Sequence, residues 1–440
     1  MSIGTYVNKA RVNWHYFIML IITVIWYIVV CIGRPPFLVR PDTSTYQITS
    51  IKELSWSHRL PGYQLISLFF YNLCGGYEDA NKCIVLFQVC IAIIGSILFY
   101  DALYKYLHSR ILALLFGIAN MMIIAIFGYS ETLLTESLAV SIMCILIWIL
   151  IQAVSTRRTK YFIWLSIISL YGTMIRPSFI FLFPCLAIFF VCFYIADNRK
   201  LAFTGFISLL FAIFVILVYC KHNELLIGKF CLSDVSYNND LASIIEGEMY
   251  NNPDYLEITE FIKTELDNDD TNCLRKAKNT LNYFGYDIGA EYIKDTKKLH
   301  REQYINYVKN NALNTLNQPV VKLHSQLASE ISTRRQFIYE MLGITLLPWS
   351  FSVLLLLSII YLCYVIYRSI KEKIFYYVDF GIVACILCIY ILSLITLYGA
   401  ALQRIAIHII PCAGFLESLL IKRLFEECSR EKVHDGSISD

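Results

Sequence analysis

The chain has 440 residues, of which 57% are hydrophobic, 15% aromatic and 16% charged, with a formal net charge of +3. Soluble domains carry about 25% charged residues, so this deficit, with a mean hydropathy of +0.57, excludes an ordinary soluble enzyme and points to a polytopic membrane protein. No basic arm or RNA-binding motif is present, which excludes nucleic acid as a partner.

A membrane span needs about 20 mostly apolar residues. In chain order the runs that read as spans are 14–33, 83–104, 110–127, 135–154, 160–175, 177–196, 201–220, 346–367, 375–397 and 402–421. The expected fold is an all-α polytopic membrane protein of about ten transmembrane helices. The first run has basic flanks and no small-residue cleavage site, and reads as an anchor and not a removed signal peptide.

Basic residues fall in alternate connections: Lys105 and Arg110, then Arg157, Arg158 and Lys160, then Arg199 and Lys200, then Arg368, Lys371 and Lys373. Lys9 and Arg11 precede the first span, and Lys422, Arg423, Arg430 and Lys432 follow the last. The positive-inside rule puts all of these, and both termini, in the cytoplasm. Four parts follow: an N-terminal membrane module (1–220) with its first outer loop (34–82), an extracytoplasmic domain (221–345), C-terminal membrane helices (346–422) and a cytoplasmic tail (423–440).

Segment 221–345 is polar and rich in Asn, Asp, Tyr and Lys, with turn-like breaks at Asn251–Asp254 and Asp267–Asp270. Helical spacing around 257–266, 291–310 and 318–343 predicts a small, mainly helical domain. Asp269 and Asp270 read as a solvated turn. Most of the fifteen cysteines lie in apolar runs as small packing residues. Cys231 and Cys273 lie in the polar segment instead, and sequence leaves open whether they pair.

The residues with chemistry gather on the outer side. Arg40-Pro41-Asp42-Thr43-Ser44-Thr45-Tyr46 is followed by His58-Arg59-Leu60-Pro61-Gly62-Tyr63. A carboxylate such as Asp42, within reach of an acceptor hydroxyl, can serve as a general base; the plainer reading is a capped turn. His58, Arg59 and Tyr63 suit a helix lying along the interface. Glu131 and Glu136 flank the start of the fourth span, where a helix N-terminus favours acidic groups. Arg176 and Arg404 are the basic residues of the short outer turns, placed against the topological bias, and phosphate binding is the first role to consider. His408 lies one turn inward from Arg404 on the same helix face.

Together these features resemble the integral-membrane glycosyltransferases of the GT-C fold, which use polyprenyl-phosphate sugars; relatives include protein O-mannosyltransferases, lipid A aminoarabinose transferases and O-antigen glucosyltransferases. The family's first outer loop carries an acidic residue followed by a Tyr, then a basic-Pro-x-Tyr stretch, matched by Asp42, Tyr46 and Arg59 to Tyr63. An acidic residue entering the next span matches Glu131 or Glu136, a later Arg-Pro matches Arg176-Pro177, and a late Arg before a Pro matches Arg404 and Pro411. Thr43 after Asp42 departs from the paired acidic motif of the protein mannosyltransferases, and Ile405 departs from the usual Tyr after the late Arg.

The resemblance implies transfer of a hexose from a polyprenyl-phosphate sugar donor to an extracytoplasmic lipid-linked glycan such as O-antigen; glucose, mannose, galactose and aminoarabinose all fit, and an O-antigen glucosyltransferase suits the chain length and span count best. Asp42 would be the catalytic base. Tyr46, His58, Arg59, Tyr63, Glu131, Glu136, Arg176, Arg404 and His408 would bind substrate. No cofactor is implied: Asp42, Glu131 and Glu136 could meet a divalent cation, but their spacing does not support one. Composition suggests a bacterial inner membrane with the site on the periplasmic face. The alternative is a lipid-glycan flippase or secondary transporter, which should carry a midplane site.

Overall fold

In lipid, backbone polar groups must be satisfied within the segment, so long runs of Leu, Ile, Val and Phe coil into helices. The computed structural model describes residues 14–31, 37, 43–54, 59–126, 132–227, 230–267, 272–318, 350–395 and 409–436. Among these described residues 87% are helical and none lies in a strand.

The N-terminal half holds α1 (Trp14–Cys31), α2 (Pro61–Cys74), α3 (Tyr77–Leu107), α4 (Arg110–Ile126), α5 (Glu136–Thr156), α6 (Thr159–Ile175), α7 (Leu182–Ala196) and α8 (Arg199–Ile227). Next come α9 (Val235–Glu246), α10 (Leu256–Asp267), α11 (Cys273–Phe284), α12 (Tyr286–Leu299) and α13 (Arg301–Leu316). The last helices are α14 (Phe351–Glu372), α15 (Tyr377–Ile395) and α16 (Ile409–Gly436). A helix thus occupies each of the ten apolar runs. Among the described residues, five helices are long and apolar enough to cross a membrane: α3, α5, α8, α14 and the run Pro177–Ala196.

α3 packs against α5, α4, α2 and α1, and α6 packs against α8 and α5. The core between them is aromatic, with Phe99, Tyr100, Phe162, Phe190, Phe193 and Phe415 fully buried. The outer surface of α8 carries exposed Phe203, Ile207, Leu210, Phe211 and Phe214. An apolar strip of that kind suits hydrocarbon rather than water.

Two buried carboxylates tie the bundle at the end where the basic connections lie. Asp101 accepts from the Tyr16 hydroxyl at 2.5 Å, Lys105 Nζ at 2.7 Å and Trp148 Nε1 at 2.6 Å. Asp379 accepts from the hydroxyls of Tyr106 and Tyr361, and its Oδ1 lies 3.9 Å from Arg423 NH2.

The polar insertion has a separate small core of Leu241, Ile244, Ile245, Ile258, Ile262, Leu281 and Tyr292. Helical spacing predicted one helix over 291–310, but the chain breaks at His300 between α12 and α13. The His300 ring Nε2 sits 2.8 Å from the Asn251 carbonyl, and Gln303 Nε2 donates to the Gly247 carbonyl at 2.9 Å. These contacts fix the bend. Helices α9 and α11 were not anticipated, and most of the predicted 318–343 helix lies outside the described residues. Cys231 and Cys273 are both free thiols. Burial, with Asp234 and Cys220 nearby, pushes the Cys231 thiol up to about 11.

Candidate functional site at one end of the bundle

Pro61 occupies the first turn of α2, where its missing N–H is no loss, so the helix starts directly after Arg59 and Leu60. Gly62 then touches α6. A Cβ there would lie 2.6 Å from the Met174 carbonyl oxygen and 2.9 Å from Ile175 Cγ1. Glycine alone permits that approach. The contact sets the start of α2 against the end of α6, so Arg59 and Arg176 belong to one neighbourhood.

Arg59 donates through Nε to Thr45 Oγ1 at 2.9 Å and through NH1 to the Tyr46 hydroxyl at 3.3 Å. Its guanidinium lies 4.7 Å from the Tyr46 ring centroid, within cation–π range. Tyr46 meets Tyr63 edge-on, with centroids 5.1 Å apart. Tyr63 is 1% exposed; its hydroxyl donates to Gln88 Oε1 at 2.7 Å, and Gln88 Nε2 donates to the Thr132 carbonyl at 2.9 Å. Burial raises the Tyr63 hydroxyl well above its usual range, with Tyr46 and Glu136 adding to the effect. It therefore remains a proton donor at any physiological pH.

The strap 43–48 is fastened along its length. Thr43, buried, reaches the Leu133 carbonyl at 3.4 Å, and Gln64 Nε2 donates to the Thr45 carbonyl at 3.1 Å. Gln47 Nε2 donates to Asn81 Oδ1 at 2.8 Å. Thr43 directly follows Asp42, so the chain beside the expected base is pinned to the 132–135 turn that leads into α5.

Glu136 opens α5, where the helix dipole favours a carboxylate, and Arg176 closes α6, where it favours a cation. Pro177 forces its predecessor into extended geometry, and Arg176 has φ −147° and ψ 119°. Arg176 NH1 lies 3.4 Å from Glu136 Oε1, with side chains 11% and 1% exposed. The same nitrogen donates to Thr135 Oγ1 at 3.2 Å.

Of the expected site residues, the structure gathers Tyr46, Arg59, Tyr63, Glu136 and Arg176 at one end of the bundle. Asp42, His58, Glu131, Arg404 and His408 lie outside the described residues. Sequence reasoning missed Gln88, Gln64 and Thr135. Gln88 had a signal, being a lone amide in the run Val85-Leu86-Phe87-Gln88-Val89-Cys90. Among the described residues no group of three or more His, Cys, Asp or Glu is arranged to hold a metal. The assembled set, two guanidinium groups with hydroxyls, tyrosines and one carboxylate, can hold an anionic oxygen ligand through charge-assisted hydrogen bonds. Comparison with protein-family models, curated proteins and solved structures finds no match to this chain.

Proposed function

We propose that the chain is a membrane glycosyltransferase of GT-C type, crossing a bacterial inner membrane ten times with both termini in the cytoplasm. It moves a hexose, with glucose the first to test, from polyprenyl phosphate to a lipid-linked glycan on the outer face. The observation that carries this reading is the Gly62 contact, which joins Arg59 and Arg176 beside the strap that continues from Asp42.

Asp42 takes the proton from the acceptor hydroxyl as that oxygen attacks the anomeric carbon. The bond from that carbon to the phosphate oxygen breaks, and polyprenyl phosphate leaves with the electron pair. Arg176, with Arg404, stabilises the departing charge; losing one such preorganised donor elsewhere costs about 3 to 4 kcal/mol. A single in-line displacement inverts the anomeric centre.

The test is transfer of labelled sugar in membranes loaded with polyprenyl-phosphate glucose, comparing wild type with Asp42→Asn at equal expression. We expect loss of transfer with donor binding kept, and an inverted linkage in the wild-type product. Retention, or no wild-type transfer from any of a panel of prenyl-phosphate sugars, overturns the reading. The second reading is transport of a lipid-linked glycan, which calls for a site near the midplane, whereas the buried carboxylates Asp101 and Asp379 lie toward the opposite end. Wild-type flux of a labelled lipid glycan into vesicles, unaffected by Asp42→Asn, would establish it.

A further inference from the structure

α2 and α3 form a helical hairpin whose turn is Gly75-Gly76. Gly75 has φ 73°, the left-handed geometry that ends a helix, and α3 starts at Tyr77. Cys74, the last residue of α2, faces Cys83 in the second turn of α3. Their sulfurs lie 3.5 Å apart, and neither side chain is buried. A disulfide needs about 2.05 Å between sulfurs, so the two must close by roughly 1.5 Å. The turn that would absorb this movement has room: a Cβ at either Gly75 or Gly76 would meet nothing within 4 Å.

The other end of α3 carries Lys105 and leads to Arg110, both in the basic, cytoplasmic set of connections. The Cys74–Cys83 end therefore belongs to the outer side, where thiols meet an oxidising compartment. We propose that Cys74 and Cys83 are a disulfide-forming pair, closed after insertion by a thiol–disulfide oxidase on the outer face. One thiolate attacks the oxidase's disulfide and forms a mixed disulfide. The second then attacks the first cysteine's sulfur and expels the oxidase thiolate. The Cys74 Sγ–Cys83 Sγ bond forms, the oxidase disulfide is reduced to a dithiol, and the two cysteine protons end on that dithiol.

The cross-link staples the helix that begins with Arg59 to Tyr63 onto the helix that carries Gln88. Its effect is on the floor of the site, through α2. The proposal rests on the outward orientation of this end of α3 and not on glycosyl transfer.

The sequence supplies a clean assay. Trypsin cuts after Arg59, Lys82 and Lys105, which separates Cys74 in the peptide Leu60–Lys82 from Cys83 in the peptide Cys83–Lys105. The full-length protein is acid-quenched in intact cells, alkylated without reductant, digested and mass-mapped. We expect the two peptides as one linked species, with fragment ions assigning the bond to Cys83 and not to Cys90, and separation on reduction. We further expect Cys74→Ser to lower the apparent Tm of the extracted protein by several degrees, while added reductant lowers wild type to the same value. Recovery of both cysteines alkylated without reduction, or a link to Cys90, overturns the proposal. Protein recovered from cells with both cysteines unlinked, yet transferring sugar, would overturn the cross-link and leave the transferase reading standing.

Discussion

Glu136 and Arg176 are each favoured by their own helix end as well as by each other, a stabilisation that does not depend on substrate. Removing one member of a buried pair strands the other, at about 3 to 5 kcal/mol. Glu136→Gln and Arg176→Gln should each lower the apparent Tm of the detergent-extracted protein markedly. The double variant should lose less than the two losses added together. Additive losses would show the two side chains to be energetically independent. Arg176 was legible in the sequence as a basic residue in a short turn where the expected topology disfavours one, and Glu136 as a carboxylate at the start of an apolar run. Tyr46, Arg59 and Tyr63 were legible because polar and aromatic groups recur within one stretch between two apolar runs. Gln88 was not, because a single amide in a span looks the same whether it faces a tyrosine hydroxyl or a packing gap.

At the scale of elements, the site is set by how α2 enters between α3 and α6. Leu65, Phe69 and Leu73 face outward along one side of α2, while Tyr63, Gln64, Ser67 and Leu68 face the bundle, so a helix too short to span still has an apolar and a site-facing side. Gly62→Ala puts a methyl group against the Met174 carbonyl, and overpacking of this kind costs about 1 to 3 kcal/mol. We expect sugar transfer to fall at least tenfold, since α2 must withdraw from α6. Gly76→Ala, where a Cβ meets nothing within 4 Å, should leave both transfer and apparent Tm close to wild type. Equal activity of the two variants would show that the α2–α6 contact does not set the site. Hydropathy marked the helices well but not their ends. α3 has 31 residues, where the apolar run covered only 83–104, because polar Tyr77–Lys82 continue the helix outside the apolar stretch. The break at His300 was invisible for the opposite reason: contacts with Asn251 and Gly247, about fifty residues away, override a continuous helical pattern.

At the scale of the molecule, Gln88 lies nineteen residues before Leu107 along α3, about 28 Å at 1.5 Å per residue. That is close to the roughly 30 Å of hydrocarbon in a bilayer, so the Tyr63–Gln88–Thr132 chain and the Leu107 end of α3 stand about one hydrocarbon thickness apart. Toward the Leu107 end of α3, Asp379 joins α3, α14, α15 and α16 through Tyr106, Tyr361 and Arg423. Asp379→Ala leaves Arg423 without this carboxylate, whereas Asp379→Asn keeps hydrogen-bonding capacity. At equal synthesis we expect the Ala variant to lose most of its monodisperse peak after extraction and the Asn variant to lose less. Undiminished peaks from both would refute the anchoring role. None of this joinery could be read from periodicity, because it depends on which helix is whose neighbour.

The Tyr106–Asp379 bond also has a temporal side. Its partners are 273 residues apart in the chain, and ribosomes deliver about 5 to 20 residues per second. Tyr106 is therefore made about 14 to 55 s before the carboxylate it will hold. For that interval the helices bearing the site wait with their Tyr106 end open, and assembly of the bundle is paced by translation.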